Sequence, residues 1–295
     1  MALADFDNEM LVLAESEAEA HELTGRARVD DPTPGGDTSS AMQILVEPSS
    51  ARDVYDPLNA SDGLSVIRAE QLFLDTTLVN EPFITALRAR QLGVTTYVRF
   101  FDPDQSIASP LQRGPFPQPA LGHRGIRILE VNRSWLDRFK MGLESLALDP
   151  VVAVVPMATA PRELDRFRQH LGPRWTRVGV TVETPAAAVR IADMLGIAEF
   201  VQIGLNDLTQ YTMAWDRDIP NAERLPPNHL AQPVADLITS VAAACAAAKI
   251  PYTLGLDLKP NPALATQLMT LGVASISCAR SLVGPWRRAL ATCSA

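Results

Sequence analysis

Residues 178–204 read VGVTVETPAAAVRIADMLGIAEFVQIG. The two ends of this stretch, Val178–Val182 and Phe200–Gly204, are short apolar runs with β-branched residues, and Ala186–Leu195 between them has helical period. Such runs read as buried strands, and a 3.6-residue period reads as a helix packed on them. Strand, helix and strand in so short a stretch is the repeating unit of a parallel α/β sheet.

Outward from this unit the alternation continues in both directions. Further apolar runs stand at Gln43–Val46, Leu64–Arg68, Thr95–Arg99, Val151–Val155, Tyr252–Gly255 and Ala274–Ser277. Helical period marks Arg162–His170, Val234–Ala248 and Ala263–Thr270. Eight candidate strands separated by helical stretches predict a (β/α)8 TIM barrel, for which about 250 residues is usual. An open doubly wound sheet is the main rival, but it carries a Gly-rich turn after an early strand, which this sequence lacks. Residues 1–40 stand apart. Met10, Leu11, Leu13 and Ala14, set in an acidic stretch, predict one short helix, and DDPTPGGDTSS (30–40) reads as a flexible linker. The expected division is an acidic N-terminal arm over 1–40 and a barrel over 41–295.

Composition narrows the function classes. The chain has 295 residues, 47% of them hydrophobic and 20% charged, which is ordinary globular make-up. A net charge of −8 argues against a general nucleic-acid binder. No apolar run approaches the ~20 residues that span a bilayer. The first residues, MALADFDNEMLVLAESEAEA, lack the basic-then-apolar order of a secretion signal. Cys245, Cys278 and Cys293 are widely spaced with no CxxC pair, so they read as thiols of a reducing, cytoplasmic compartment. The four histidines show no metal-ligand spacing, which argues against zinc.

A barrel carries its chemistry just past the C-terminal ends of its strands. There Arg68 ends the second run and Arg99 the third, while Glu183 follows the fifth, Asn206 and Asp207 the sixth, and Asp257 the seventh. Arg124 lies in a Pro-rich connection, within ALGHRGIR, and Arg217 follows further on. Charges at the ends of apolar strands are costly to bury unless they are paired or bind something. One reading is an ion-pair network bracing the barrel mouth. The other is a binding site. Glu183 and Asp207, from neighbouring strands, suit an octahedral Mg2+ that keeps several waters. Arg68, Arg99, Arg124 and Arg217 supply forks for carboxylate or phosphate oxygens. A hard cation among arginines fits a small anion whose reaction develops an enolate oxygen.

The stretch VQIGLNDLTQYTMAWDR (201–217) resembles the signature of the phosphoenolpyruvate-utilising enzymes, which runs roughly SIGTNDLTQYTLAVDR. The resemblance extends through GLSVIRAEQLFL (63–74, family GIGLLRTEFLF), TYVRFFD (96–102, RTLD) and QPALGHRGIR (118–127, NPALGxRGIR). It continues through VVPMATAPREL (154–164) and VGVTVETPAAA (178–188, IGIMIETPAA), and in all covers about residues 41–290. It implies the family's C-terminal barrel, which binds phosphoenolpyruvate and pyruvate. Arg68, Arg99 and Arg124 match the arginines that there contact phosphate and carboxylate oxygens. Glu183 and Asp207 match the Mg2+ ligands, Asn206 a substrate contact beside the metal, and Arg217 the arginine closing the signature. The resemblance also implies a homodimer.

Departures from the pattern bear on function. The family places CGE after its seventh strand, and that Cys protonates enolpyruvate. Here the segment reads TLGLDLKP (253–260), with Leu254 at the Cys position and Leu256 at the Glu position, while Leu205 replaces the Thr of GTND. A leucine cannot donate a proton. Asp257 and Tyr252 are the candidates to replace it. GGDTSSA (35–41) has Ser40 where the family's GGxTSHA motif has its His, and no Gly-rich nucleotide loop is found. The expectation is a stand-alone Mg2+-dependent barrel enzyme of lyase or isomerase type. It binds a small 2-oxo acid or enol anion and stabilises an enolate, without being a complete phosphotransferase. Two alternatives stand beside it. The three leucines could admit a larger enol or β-diketone to a biosynthetic lyase or cyclase, or the chain could be a ligand-binding pseudoenzyme. No nucleic-acid or membrane partner is expected.

Overall fold

The computed structural model describes residues 2–5, 10–13, 42–55, 61–74, 78–91, 93–102, 121–122, 124–130, 133–216 and 228–293. Its parallel strands fall where the apolar runs predict them. They are β1 (Gln43–Val46), β2 (in two pieces, Gly63–Leu64 and Ile67–Arg68), β3 (Thr96–Arg99) and β4 (Val151–Val155). After them come β5 (Val178–Val182), β6 (Val201–Gly204), β7 (Tyr252–Gly255) and β8 (Ser275–Cys278).

The split in β2 reveals the closure. Its first half pairs with β1 (Leu45 with Gly63, Val46 with Leu64) and its second half with β3 (Ile67 with Val98, Arg68 with Arg99). From the first half the hydrogen-bonded order runs β1, β8, β7, β6, β5, β4, β3 and back to the second half. Both ends of the series are one run of chain, so the sheet closes into the expected (β/α)8 barrel.

Burial follows from that closure. Every residue of β4 (VVAVV) and β5 (VGVTV) is buried, because one face points into the barrel and the other meets the helices. Outside the strands, Phe100 meets Phe139 and Phe167 edge to face, at 5.1 and 5.0 Å between ring centroids. A separate cluster of Val66, Val152, Val154 and Phe200, with Tyr97 stacked 3.9 Å from Phe200, fills the barrel's lower interior. Two residues further along β3 and β6 the same inward face carries Arg99 and Gln202. The barrel is therefore apolar below and polar above.

Helices start sharply at the strand ends. Thr184 caps Pro185–Val189 by accepting from the Ala187 N–H at 3.2 Å, directly after Glu183. Pro161, Pro185 and Pro262 open helices, where a missing N–H costs nothing. The predicted 186–195 helix is two pieces, Pro185–Val189 and Ile191–Met194, interrupted at Arg190.

One expectation is corrected. Ala2–Asp5 and Met10–Leu13 pair as an antiparallel hairpin, Ala2 opposite Leu13 and Asp5 opposite Met10, where a short helix was expected. Met10–Leu13 is apolar at four successive positions, which lacks the i, i+3, i+4 spacing that commits a segment to a helix. The DDPTPGGDTSS segment lies outside the described residues. Among the described residues, no helix is long and apolar enough to cross a membrane.

Candidate active site

The strand ends surround a cavity of about 270 Å³. Of the sequence-predicted residues, Arg68, Arg99, Arg124, Glu183, Asn206 and Asp207 all line it, as do Leu205, Leu256 and Asp257. Arg217 lies outside the described residues. The reading of chemistry at strand ends therefore brings most of its candidates into one place.

Arg124 is engaged with the protein. Its Nε and Nη2 donate to the two oxygens of Asp102 at 3.0 and 2.6 Å, a bidentate pair. Its Nη1 donates to Asp207 Oδ1 at 2.7 Å and to the Tyr211 hydroxyl at 2.8 Å. Arg124 and Asp102 are each 2% exposed. Burial works against the charge on Arg124, but Asp102 and then Asp207 hold its pKa above the ordinary value. Burial likewise opposes the charge on Asp102, and Arg124 outweighs it and holds that carboxyl low. The loop is fixed at Gly125, which sits at φ +54°. A Cβ there would lie 2.1 Å from the Pro156 carbonyl oxygen, so only glycine fits. The ion-pair reading of the barrel mouth thus holds for Arg124, whose fork positions Asp207.

Glu183 is a buried and strongly perturbed carboxyl of the site. Its Oε1 accepts from the Met157 N–H at 2.7 Å, and Met157 takes the left-handed φ of +57° that aims this N–H inward. Burial, then the neighbouring carboxylates of Asp207 and Asp102, push its pKa up to about 8 against the partial relief of Arg99 and Arg124. Gly204 leaves room for it, since a Cβ there would lie 2.9 Å from Glu183 Oε2.

Arg99 differs from Arg124. Among the described residues its buried Nε has no hydrogen-bond partner. Burial opposes its charge, while Glu70, Asp102, Glu183 and Glu47 together raise its pKa. Arg68 is 43% exposed on its side chain and donates to Glu47 Oε2 at 3.2 Å. These two guanidiniums are the forks best placed for an anion.

The end of β7 shows which of its positions face the cavity. A Cβ on Gly255 would lie 3.1 Å from Glu47 Oε1 and 3.3 Å from Gln202 Nε2, so position 255 faces the cavity. Side chains alternate along a strand, so Leu254, which is fully buried, faces the helix layer. Position 255, rather than Leu254, therefore presents its substituent to the cavity, and Asp257 follows it there. Tyr252 is at the opposite end of β7, where its hydroxyl donates to the Gly272 carbonyl at 2.6 Å and accepts from the Ala274 N–H at 3.0 Å. It cannot serve the site. Asp257 lines the cavity and accepts from Asn206 Nδ2 at 3.2 Å.

Sequence reasoning missed Glu47, Glu70, Asp102, Gln202 and Tyr211. Glu47 directly follows β1 and Asp102 follows β3 by three residues, so the strand-end rule could have found both. Glu70, inside the quoted RAE, accepts from the Asp102 N–H at 2.9 Å, and burial raises its pKa. Tyr211, whose hydroxyl pKa burial pushes up to about 12, had no strand-end signal.

The donor set fits a hard divalent cation. Five carboxylates line the cavity against three guanidiniums, so an anion enters unfavourably unless positive charge is added. A cation bound by Glu183 and Asp207 would relieve the repulsion between them. Among the described residues, no three His, Cys, Asp or Glu side chains gather as a metal cluster. A two-carboxylate set suits Mg2+, which keeps waters and substrate oxygens in its other positions.

Comparison with known proteins places the chain in a family. A family model described as "PEP-utilising enzyme, PEP-binding domain" matches residues 37–295. A phosphoenolpyruvate-protein phosphotransferase of Streptomyces coelicolor is 32% identical over 262 residues, covering 80% of this chain and 45% of that protein. A phosphoenolpyruvate synthase of Pyrococcus furiosus is 34% identical over 172 residues, covering 54% of this chain and 21% of its own length. The chain thus spans less than half the length of these curated relatives. Among solved structures, a citrate lyase from Burkholderia xenovorans superposes with a TM-score of 0.48 at 15% identity, covering 86% of this chain and 77% of that one.

Proposed function

The chain belongs to the PEP-utilising enzymes by its PEP-binding domain, and from that membership we propose a Mg2+-dependent enzyme acting on a small 2-oxo acid or enol anion. Its chemistry is of lyase or isomerase type, with an enolate as the charge to be stabilised. The observation that carries this reading is the pairing of Glu183 and Asp207 in one cavity with Arg99, whose buried Nε lacks a partner among the described residues.

The residues divide the work. Arg99 and Arg68 receive the anion's oxygens and orient it. Arg124, locked to Asp102, holds Asp207 in place. Leu205 and Leu256 close part of the wall with apolar surface, which excludes water and strengthens the charge interactions inside. A bound Mg2+ would be held by Glu183 and Asp207 and would supply Lewis-acid polarisation of substrate oxygens.

Calorimetric titration with oxalate, a planar analogue of enolpyruvate, tests the reading. Binding is expected with Mg2+, and loss of it in Glu183→Gln and Asp207→Asn. No binding under any condition, or equal binding in both variants, sinks it.

Leu205 and Leu256 on the wall, with only a hydrogen at Gly255, favour a second reading in which a larger enol or β-diketone is the substrate. Mg2+-dependent binding of acetylacetone without binding of oxalate would select it.

A further inference from the structure

The site as described binds and stabilises an anion but has no assigned group to move a proton at carbon. Its cavity carboxylates differ in what holds them and in where they stand. Asp102 and Asp207 are engaged by Arg124, and Glu183 accepts from the Met157 N–H beside Asp207. Asp257 is exposed and accepts from Asn206 Nδ2.

Glu47 is placed differently. It follows β1, which is four strands from β5 in either direction around the barrel, so it faces Glu183 across the cavity. Three donors from three other strands fix its carboxylate. Gln202 Nε2 and the Ser277 hydroxyl donate to Oε1 at 2.8 and 2.9 Å, and Arg68 Nη2 donates to Oε2 at 3.2 Å. Gly255 then opens the space beside it. Any side chain at 255 would begin 3.1 Å from Glu47 Oε1, so the carboxylate occupies room that such a side chain would take.

We propose that Glu47 is the general base of this site. It takes a proton from the carbon next to the carbonyl of a bound 2-oxo acid and returns it from the same side. The C–H electron pair becomes the C=C bond of the enolate, and the carbonyl π pair moves onto oxygen, where Arg99 balances the charge. No oxidant or further reactant is required. The proposal rests on the 2-oxo-acid reading above.

The test is deuterium exchange into the methyl group of pyruvate, followed by proton NMR in D2O with Mg2+, using 2-oxobutyrate as a second probe. Wild-type protein is expected to exchange the methyl protons. Glu47→Gln keeps an oxygen to accept from Arg68 but cannot take a proton, and exchange should fall by about 10²–10⁴-fold. Oxalate binding needs no proton transfer and should be retained or strengthened in that variant. Gly255→Ala keeps the Glu47 carboxylate but sets a methyl 3.1 Å from its Oε1, forcing it to shift, and should slow exchange in the same direction. Exchange at the wild-type rate in Glu47→Gln overturns the proposal, as does wild-type protein that binds oxalate yet exchanges neither probe. Failure of wild-type protein to bind oxalate at all counts instead against the 2-oxo-acid reading.

Discussion

Glu183 concentrates the electrostatics of the site in one carboxyl. Its pKa is about 8 in the folded protein against an ordinary 4.5, with burial the largest cause. Between those values the folded state binds a proton that the unfolded state has lost, so this group makes stability fall as pH rises. Its penalty is absent below about pH 4.5 and fully present above about pH 8. Thermal unfolding of metal-free protein should therefore show stability declining across that window, and Glu183→Gln should flatten the decline. Added Mg2+ should raise the melting temperature most at the alkaline end, where both carboxylates are charged. A decline of equal steepness in Glu183→Gln would assign it to other groups. The same scale explains what the sequence concealed at β7. A slip of one residue turns a strand's side chains to the other face, and nothing local in TLGLD says which of its positions face the cavity. The closeness of position 255 to Glu47 and Gln202 decides it.

Among the elements, Arg124 joins segments far apart in the chain. Its loop is tied to Asp102 after β3 and to Asp207 and Tyr211 on the helix Leu205–Thr212 after β6. Removing one partner of a buried ion pair costs about 3–5 kcal/mol, because the other charge is left uncompensated. Arg124→Ala should lose stability on that scale in a denaturant titration, and with it the placement of Asp207. A loss below ~1 kcal/mol would show an exposed, screened pair instead. This brace marks the limit of legibility. Strand runs and strand ends were readable because their periodicity is local, and so were Arg68, Arg99, Glu183 and Asp207. Whether an arginine binds a ligand or another side chain depends on what lies 22 and 83 residues away, as it does for Arg124. Local pattern carries no such information. The expected helix at Met10–Leu13 failed for a different reason, since four successive apolar residues leave the period undecided and the pairing with the nearby Ala2–Asp5 decides it.

The molecule as a whole is a closed ring of strands, and β2 is the place where the ring is joined. Each half of β2 offers only two paired positions to its neighbour, whereas β3 and β4 share four. The break between the halves buries the Ser65 hydroxyl without a hydrogen-bond partner. Local opening begins where few paired groups and few satisfied ones hold an element in place. Amide protons around Gly63–Arg68 should accordingly exchange with solvent faster than those of β4 and β5. Equal protection around the ring would show that the join is as strong as the rest. Arg68 stands at the end of the second half, beside Arg99 of β3. An anion gripped by both guanidiniums is then a clasp across the join. Ligand occupancy would be recorded as slower amide exchange in a strand the ligand barely covers, which makes this part of the barrel wall a built-in reporter of whether the cavity is filled.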